Sequence, residues 1–283
     1  MRRDTERERL FVTCVSSAEP VISERRYVFW GALWHPAHRL VNQTGASTAP
    51  TLGRRTALAT GFRILRRTRQ VEPALAERFR SLPVANVSDV MSRMTAGGPR
   101  LRPMHAPGAV LSGPALTVKT RPGDNLMIHK AIALAEPGDV IVVDAGGDLT
   151  NALIGELMLA QMAKRRLGGI VLNGAIRDSA AIRAQDFPVF AAGVTHRGPY
   201  KDGPGEINVP VAIDGMVIAP GDLVLGDDDG LLCVPFEEAE AIHAAAAAKH
   251  AAEEKQAANI AAGTHDASWV DASLRRLGCE GLG

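Results

Sequence analysis

The chain has 283 residues, of which 46% are hydrophobic and 22% charged, and this composition excludes a fibrous repeat, a largely disordered chain and a small disulfide scaffold. Its three cysteines are scattered and form no CxxC pair, so we expect neither a structural zinc site nor a disulfide framework. The net charge of +1 does not indicate a nucleic-acid or membrane-surface partner, and we expect neither. The apolar runs are far shorter than the roughly 20 residues of a membrane span, and we expect a cytoplasmic protein.

Charge is unevenly distributed along the chain. Residues 1–70 contain 13 arginines and 5 acidic residues, whereas acidic residues outnumber basic ones in the remainder. Residues 1–60 also show no sustained helical or strand period. We predict a basic, poorly ordered extension over residues 1–61 and one folded domain over residues 62–283. A basic arm or a targeting segment is the functional alternative for the extension.

Beyond residue 62, apolar periodicity predicts helices and strands in alternation. Helices are predicted over residues 71–82, 87–94, 125–134, 151–165, 179–185 and 236–262. Two short strands are predicted around Gly113 and Pro114 within residues 109–120, followed by strands over 140–144, 168–172, 189–192, 209–213, 216–218, 223–225 and 231–234. The order predicts an α/β domain with βαβ units and a mainly parallel sheet, a β-rich second half and a long C-terminal helix.

Polar residues follow several of the apolar strands, at the edge where open α/β sheets bind ligands. Arg177 and Asp178 come soon after the strand predicted to begin at residue 168. A guanidinium fork binds a carboxylate, and an aspartate offers the oxygen ligand that Mg²⁺ or Mn²⁺ prefers. The alternative is a helix start with Asp178 in its first turn. Glu156 would hold metal-bound water if the two strands are neighbours, and is otherwise a solvated helix residue.

Two further features have a simpler alternative. His196 is a candidate proton donor, although a single loop histidine more often has no catalytic role. The acidic residues within 226–230 lack the spaced ligands of an EF-hand, and this favours a hairpin turn over a cation site.

An ordered set of motifs resembles the RraA-like family. The motifs are PGDN at 122–125, PGDVIVVD at 137–144, GELM at 155–158, GAIRD at 174–178, FPVF at 187–190 and PGD at 220–222. The family includes the class II 4-hydroxy-4-methyl-2-oxoglutarate and 4-carboxy-4-hydroxy-2-oxoadipate aldolases. The resemblance implies an RraA-like α/β sandwich that forms homotrimers, sometimes paired as hexamers, with the active site at the subunit interface. It also implies a Mg²⁺- or Mn²⁺-dependent lyase that releases pyruvate from a 2-oxo acid, by aldol cleavage or by decarboxylation of oxaloacetate.

Site residues follow from the same resemblance. Arg177 matches the arginine that binds the pyruvyl group, and Asp178 matches the direct metal ligand. Glu156 stands where the aldolases usually carry an aspartate that holds metal waters, and it is one methylene longer. A glutamate from a neighbouring subunit completes the family's site, and Glu253 is the best match, with Glu254 next.

The motif over residues 155–158 is expected to bind substrate. Gly155 and Glu156 open it, and the backbone N–H groups of Leu157 and Met158 match those that meet the substrate carboxylate in the family. In this interpretation a metal acting as a Lewis acid stabilises the enolate formed when the C3–C4 bond breaks. Water polarised by Glu156 or Glu253 takes the proton from the C4 hydroxyl.

Two other functions stay open at this point. Some members of the resembled family lack the acidic metal set, among them a regulator that inhibits ribonuclease E, so a non-catalytic protein that binds a protein partner is the alternative. A lyase for a different hydroxy acid or sugar acid is the third possibility. The presence of Arg177, Asp178 and Glu156 together favours the enzyme.

Overall fold

The structure is a computed structural model, and it describes residues 60–94 and 97–281. The predicted extension over residues 1–61 lies outside these residues except for its last two positions. Its boundary and character therefore stay predictions.

The elements follow one another in a mixed α/β order. The strands are β1 (Phe62–Ile64), β2 (Arg102–Pro103), β3 (Leu111–Thr120), β4 (Val140–Asp144), β5 (Ala152–Ile154), β6 (Gly169–Ile176), β7 (Val189–Val194), β8 (Gly205–Ile207), β9 (Val211–Ile213), β10 (Met216–Ile218), β11 (Leu223–Asp227) and β12 (Gly230–Val234). The helices are α1 (Pro73–Phe79), α2 (Val84–Val90), α3 (Leu126–Leu134), α4 (Glu156–Lys164), α5 (Ser179–Arg183), α6 (Ala239–Ala261) and α7 (Ser268–Arg276).

A central parallel sheet carries the site. The strand order is β1-β8-β3-β4-β6-β7-β2, and β3, β4, β6 and β7 are parallel to one another. Helices α3, α4 and α5 connect these strands in turn, as βαβ units require. The carboxyl ends of the four strands therefore meet at one edge of the sheet. The predicted α/β class, βαβ units and β-rich second half are confirmed.

The central strands are buried on both faces. Ile141 and Val143 of β4 point to the core beneath α3 and α4, whereas Val140 and Val142 point to the core shared with the β9–β10 hairpin. A third core joins α1, α2 and α6 to the β11–β12 hairpin. Burial on both faces explains why these strands appear in the sequence as continuous apolar runs and not as alternating patterns.

The prediction of two strands around Gly113 and Pro114 was wrong, because β3 is continuous from Leu111 to Thr120. Its first four residues pair with β11, and Ala115 to Lys119 pair with β4. The Gly-Pro pair thus marks a change of partner strand. Gly113 is required by space, because a Cβ there would lie 2.1 Å from the carbonyl oxygen of Gly138.

Two predicted helices had the wrong bounds. The segment 151–165 divides into β5 and α4, because Ala152–Ile154 pairs with β6 and Gly155 is extended, with φ −147° and ψ −172°. The helix predicted over 87–94 is α2, which begins at Val84 after Pro83 and ends at Val90. Strand β6 is also longer than predicted, since it continues through Asn173 and Gly174 to Ile176.

Pro-Gly-Asp turns precede two of the strands. The buried carboxylates of Asp139 and Asp222 each accept a hydrogen bond over 2.9 Å from the backbone N–H three residues earlier, at Glu136 and Ala219. This side-chain bond closes the turn and fixes the start of β4 and of β11.

The predicted long C-terminal helix is present. Residues Phe236–Glu238 form a 3₁₀ turn, and α6 follows over 23 residues. Helix α7 was not predicted. In the described part of the chain, none of the helices combines the length and apolar character that crossing a bilayer requires.

Candidate active site

Strands β5 and β6 bring the two predicted polar motifs together. Ile154 pairs with Ile176, the last residue of each strand, so Gly155-Glu156 and Arg177-Asp178 leave the sheet side by side. The backbone N–H of Glu156 donates a hydrogen bond to Oδ2 of Asp178 over 3.1 Å. The condition set for Glu156, that neighbouring strands precede the two motifs, is met by β5 and β6, although a helix was predicted where β5 lies.

Gly155 makes this close approach possible. A Cβ at Gly155 would lie 2.3 Å from Oδ2 of Asp178 and 3.1 Å from Cγ and Nε of Arg177. The backbone of Gly155 is extended, a conformation that any residue adopts, so the requirement for glycine is one of space. The side chains of Arg177 and Asp178 therefore both pack against the Cα of Gly155.

Asp178 begins α5 but does not cap it through its side chain. The residue has φ 57° and ψ 36°, in the left-handed region that aspartate tolerates better than most residues, and its carboxylate makes no capping hydrogen bond to α5. The carboxylate faces the first turn of α4, and Oδ2 lies 3.7 Å from Nε of Arg177. Both of these side chains are about two-fifths exposed, so the pair is open to a ligand.

The donor set fits a hard divalent cation that keeps most of its water. Mg²⁺ is commonly held by one or two carboxylates together with waters and substrate oxygens. Asp178 provides one such carboxylate, with Oδ1 free of hydrogen bonds to the described residues, and the exposed Glu156 follows Gly155 beside it. Within residues 60–94 and 97–281 there is no cluster of three or more histidine, cysteine or acidic side chains suited to a metal. The site therefore suits a hydrated cation better than a fully enclosed one.

The first turn of α4 offers backbone donors beside the same point. Glu156 and Leu157 are its first two residues, and N–H groups there have no acceptor within the helix. The N–H of Met158, in contrast, donates to the carbonyl oxygen of Gly155 over 3.1 Å. The side chain of Leu157 is 73% exposed and that of Met158 is buried. The role of Leu157 and Met158 in substrate binding stays a prediction. Of their two N–H groups, that of Leu157 is the one without an acceptor in the helix.

A loop after β7 closes one side of the site. The N–H of Thr195 donates to the carbonyl of Ile176, and the carbonyl of Arg197 accepts from Ala152. The carbonyl of Gly198 accepts from Nδ2 of Asn151 over 2.6 Å. A Cβ at Gly198 would lie 3.4 Å from Nη1 of Arg177, so this loop borders the guanidinium.

The sequence did not predict that the side chain of Asn151 holds the 195–198 loop. Its residue type gave no signal, because it lay within a segment predicted to be helical.

The acidic residues of 226–230 form the β11–β12 turn, which is the hairpin that the sequence favoured over a cation site. Asp227 and Asp228 accept hydrogen bonds from the backbone N–H groups of Val84 and Gly108.

Glu253 lies elsewhere in the chain. It is on α6, where Oε2 accepts from Nδ2 of Asn86 over 2.6 Å and Oε1 lies 2.7 Å from Nζ of Lys249. The hydrogen bond from Lys249, and then that from Asn86, lowers the pKa of the Glu253 carboxyl. Glu254 lies 3.7 Å from Nε2 of His250. These contacts do not bring Glu253 to Arg177 within one chain, and its place in a shared site stays a prediction.

Known proteins with similar sequences and structures point to one family. The model of the RraA-like family, described as Aldolase/RraA, matches residues 84–233. A Halalkalibacterium halodurans protein named "Putative 4-hydroxy-4-methyl-2-oxoglutarate aldolase" is 40% identical over 185 residues, which are 65% of this chain and 88% of that protein.

Solved structures agree on the fold. An uncharacterized protein from Pseudomonas syringae superposes with a TM-score of 0.62 at 25% identity, covering 69% of this chain and 95% of that one. A Streptomyces coelicolor protein, described as an unusual member of the RNase ES inhibitor RraA protein family, superposes with a TM-score of 0.60 at 26% identity, covering 65% and 96% of the two chains. From the order of its strands, the motifs at their carboxyl ends and these relatives, the chain belongs to the RraA-like family.

Proposed function

We propose that this protein is a divalent-metal-dependent lyase that releases pyruvate from a 2-oxo acid, by cleaving a 4-hydroxy-2-oxo acid, by decarboxylating oxaloacetate, or by both. The observation that carries the proposal is the hydrogen bond from Glu156 to Asp178, which holds a carboxylate at the first turn of α4, with Nε of Arg177 3.7 Å from the same oxygen. The relative named as an aldolase supports the same reaction class.

Arg177 is the group that we assign to the pyruvyl end of the substrate. Its guanidinium carries fixed N–H donors that match a planar carboxylate. Gly155 and Gly198 border it closely, which restricts its orientation. The N–H of Leu157 lies in the first turn of α4 and has no acceptor within the helix, and the helix dipole there also favours an anion. We therefore expect the carboxylate of the 2-oxo acid to lie between Arg177 and this turn.

Asp178 would hold the Mg²⁺ or Mn²⁺ ion, and Glu156 would bind its waters. When bound, the ion supplies Lewis-acid stabilisation of the negative charge that develops on the 2-oxo oxygen. The carboxylate of Asp178 is kept in one orientation by the Glu156 N–H, so the chain provides a preformed ligand.

Proton transfer is assigned to the carboxylate of Glu156 and, from a neighbouring copy, to that of Glu253. As the C3–C4 bond breaks, one of these carboxylates accepts the proton of the C4 hydroxyl through a water, C4 becomes a carbonyl carbon, and the electron pair of the bond forms the enolate of pyruvate. The carboxylic acid then returns that proton through water to C3 of the enolate, which gives pyruvate. The role of Glu253 requires a homotrimer or hexamer in which α6 of one copy reaches the site of the next, and we propose this assembly for a cytoplasmic enzyme.

A coupled assay tests the proposal. Pyruvate release from oxaloacetate and from 4-hydroxy-4-methyl-2-oxoglutarate is followed with lactate dehydrogenase, in Mg²⁺ or Mn²⁺ and then in EDTA. We expect release that EDTA stops and added metal restores. Release that continues undiminished in EDTA would reject the metal-dependent mechanism. No release from either compound would instead favour another substrate or a regulatory binding function, the kind described for the Streptomyces coelicolor relative.

A further inference from the structure

A cleft of about 570 Å³ extends from the candidate site. Its lining comprises Arg177, Asp178, Ser179, Ala180, Ala181, Val194, Thr195 and His196. Among these, the charged or titratable side chains are Arg177, Asp178 and His196. The methyl groups of Ala180, Ala181 and Val194 form an apolar wall. The cleft thus offers the hydrogen-bond donors of Arg177 and His196, the Asp178 carboxylate and an apolar wall beside the position assigned to the pyruvyl group.

The backbone fixes His196 at this cleft. On one side, the N–H of Thr195 donates to the carbonyl of Ile176 over 2.9 Å, directly before Arg177. On the other side, the carbonyl of Arg197 accepts from the N–H of Ala152 over 2.8 Å. His196 is therefore held between two strands that end at the site, although it lies in a loop.

The imidazole of His196 has no hydrogen-bond or ion-pair partner among the described residues, and its side chain is exposed. An imidazole donates an N–H in both its neutral and its protonated form. The imidazole is therefore open to a ligand in the cleft, since the carboxylate of Asp178 accepts from the Glu156 N–H and is assigned to the metal.

We propose that His196 determines substrate specificity by binding a carboxylate at the end of the substrate distal to the pyruvyl group. This inference rests on the proposed function, which places the pyruvyl end at Arg177. Oxaloacetate and 4-hydroxy-4-methyl-2-oxoglutarate, proposed above, both carry such a second carboxylate, and in this arrangement the carbon chain of the substrate lies against the wall of Ala180, Ala181 and Val194. Monocarboxylic 2-oxo acids of the same length leave the His196 N–H without a partner.

Ligand binding tests the proposal with two compounds that differ only at the distal end. 2-Oxoglutarate has a distal carboxylate, and 2-oxopentanoate has a methyl group at the same place. Their affinities are measured by calorimetry in Mg²⁺ for the full chain. We expect wild-type protein to prefer 2-oxoglutarate, and His196→Ala to weaken that ligand about 10- to 100-fold, the value of one hydrogen bond to a charged group. The affinity for 2-oxopentanoate should change less than about twofold, within the small effect expected for an exposed side chain that makes no contact with the ligand.

Two further variants make the result specific. His196→Gln keeps an N–H donor and should recover part of the preference. Arg197→Ala removes a neighbouring cation that does not line the cleft, and it should leave both affinities unchanged. Wild-type protein without a preference for 2-oxoglutarate would overturn the proposal, as would equal losses for the two ligands in His196→Ala.

The test is independent of turnover, because neither compound has a C4 hydroxyl or a β-carboxyl group to lose. A preference that depends on His196, in a protein that releases no pyruvate from any 2-oxo acid, would reject the proposed lyase alone. Pyruvate release by a protein whose preference is unchanged in His196→Ala would reject the specificity role alone.

Discussion

The backbone N–H of Glu156 donates a hydrogen bond to Oδ2 of Asp178 over 3.1 Å, and so joins the start of α4 to the start of α5. The two residues are far apart in sequence, and the pairing of β5 with β6 brings them together. A carboxylate at the first turn of a helix is also stabilised by the helix dipole. The orientation of Asp178 therefore depends on where α4 begins.

Gly155→Ala should displace Asp178 and Arg177. The added Cβ would lie 2.3 Å from Oδ2 of Asp178, and the extended backbone of Gly155 would otherwise accept alanine. A displacement of about 1 Å in a catalytic site can lower the rate about 100-fold. We expect kcat/KM for pyruvate release to fall by about that factor.

Gly98→Ala is the matched control for this variant. Its nearest neighbour would be Cβ of Asp214 at 3.4 Å, an ordinary van der Waals contact, and Gly98 does not have a positive φ. We expect wild-type kcat/KM in the control. If Gly155→Ala retained wild-type activity, the close packing of Asp178 on Gly155 would not matter for function.

Asp178→Asn separates the charge of Asp178 from its geometry. The amide oxygen can still accept the Glu156 N–H, whereas it is a poorer ligand for a hard cation. Loss of one preorganised electrostatic group typically costs about 100- to 1,000-fold in kcat. We expect that loss in both Asp178→Asn and Asp178→Ala, with an unchanged circular dichroism spectrum. Asp178→Asn with wild-type activity at limiting Mg²⁺ would show that the carboxylate charge is not needed.

Arg177→Lys keeps the positive charge and removes the planar fork. A lysine cannot donate two parallel hydrogen bonds to one carboxylate, and the lost bond to a charged group corresponds to about a 10- to 100-fold effect. We expect an increase of that size in KM for oxaloacetate, measured with lactate dehydrogenase coupling. An unchanged KM would mean that charge alone suffices at residue 177.

Much of the fold was predictable because the relevant signals are local. The strands at β4 and β7 and the helix α3 are compact apolar segments between turn residues, and their predicted bounds agree closely with the structure. The helix predicted over residues 151–165 was wrong in its first residues because of a tertiary contact. Its Ala and Leu residues favour a helix, but pairing with β6 makes Ala152–Ile154 a strand.

The candidate site was predictable only in part, and for the same reason. Arg177 and Asp178 follow an apolar strand directly, so they were visible in the sequence. Their contact with Gly155 and Glu156 requires the β5–β6 pairing, which the helical pattern concealed. The bond from Asn151 that holds the 195–198 loop is also a long-range contact, and no spacing in the sequence indicates it.

Glu253→Gln should change the pH dependence of thermal stability. Lys249 lowers the pKa of Glu253 in the folded chain from the ordinary value of 4.5, so the stabilisation is present above that pH and is lost as the pH falls through the lowered pKa. We expect a higher Tm for wild type than for Glu253→Gln above about pH 5.5, where unfolded glutamate is ionised, and a difference that shrinks below 4.5. Circular dichroism melts of both proteins from pH 7 to pH 3 measure this difference in Tm. Glu254→Gln, whose carboxylate has a more distant partner, should show a smaller difference. A wild-type advantage that grows as the pH falls would contradict the pairing of Glu253 with Lys249.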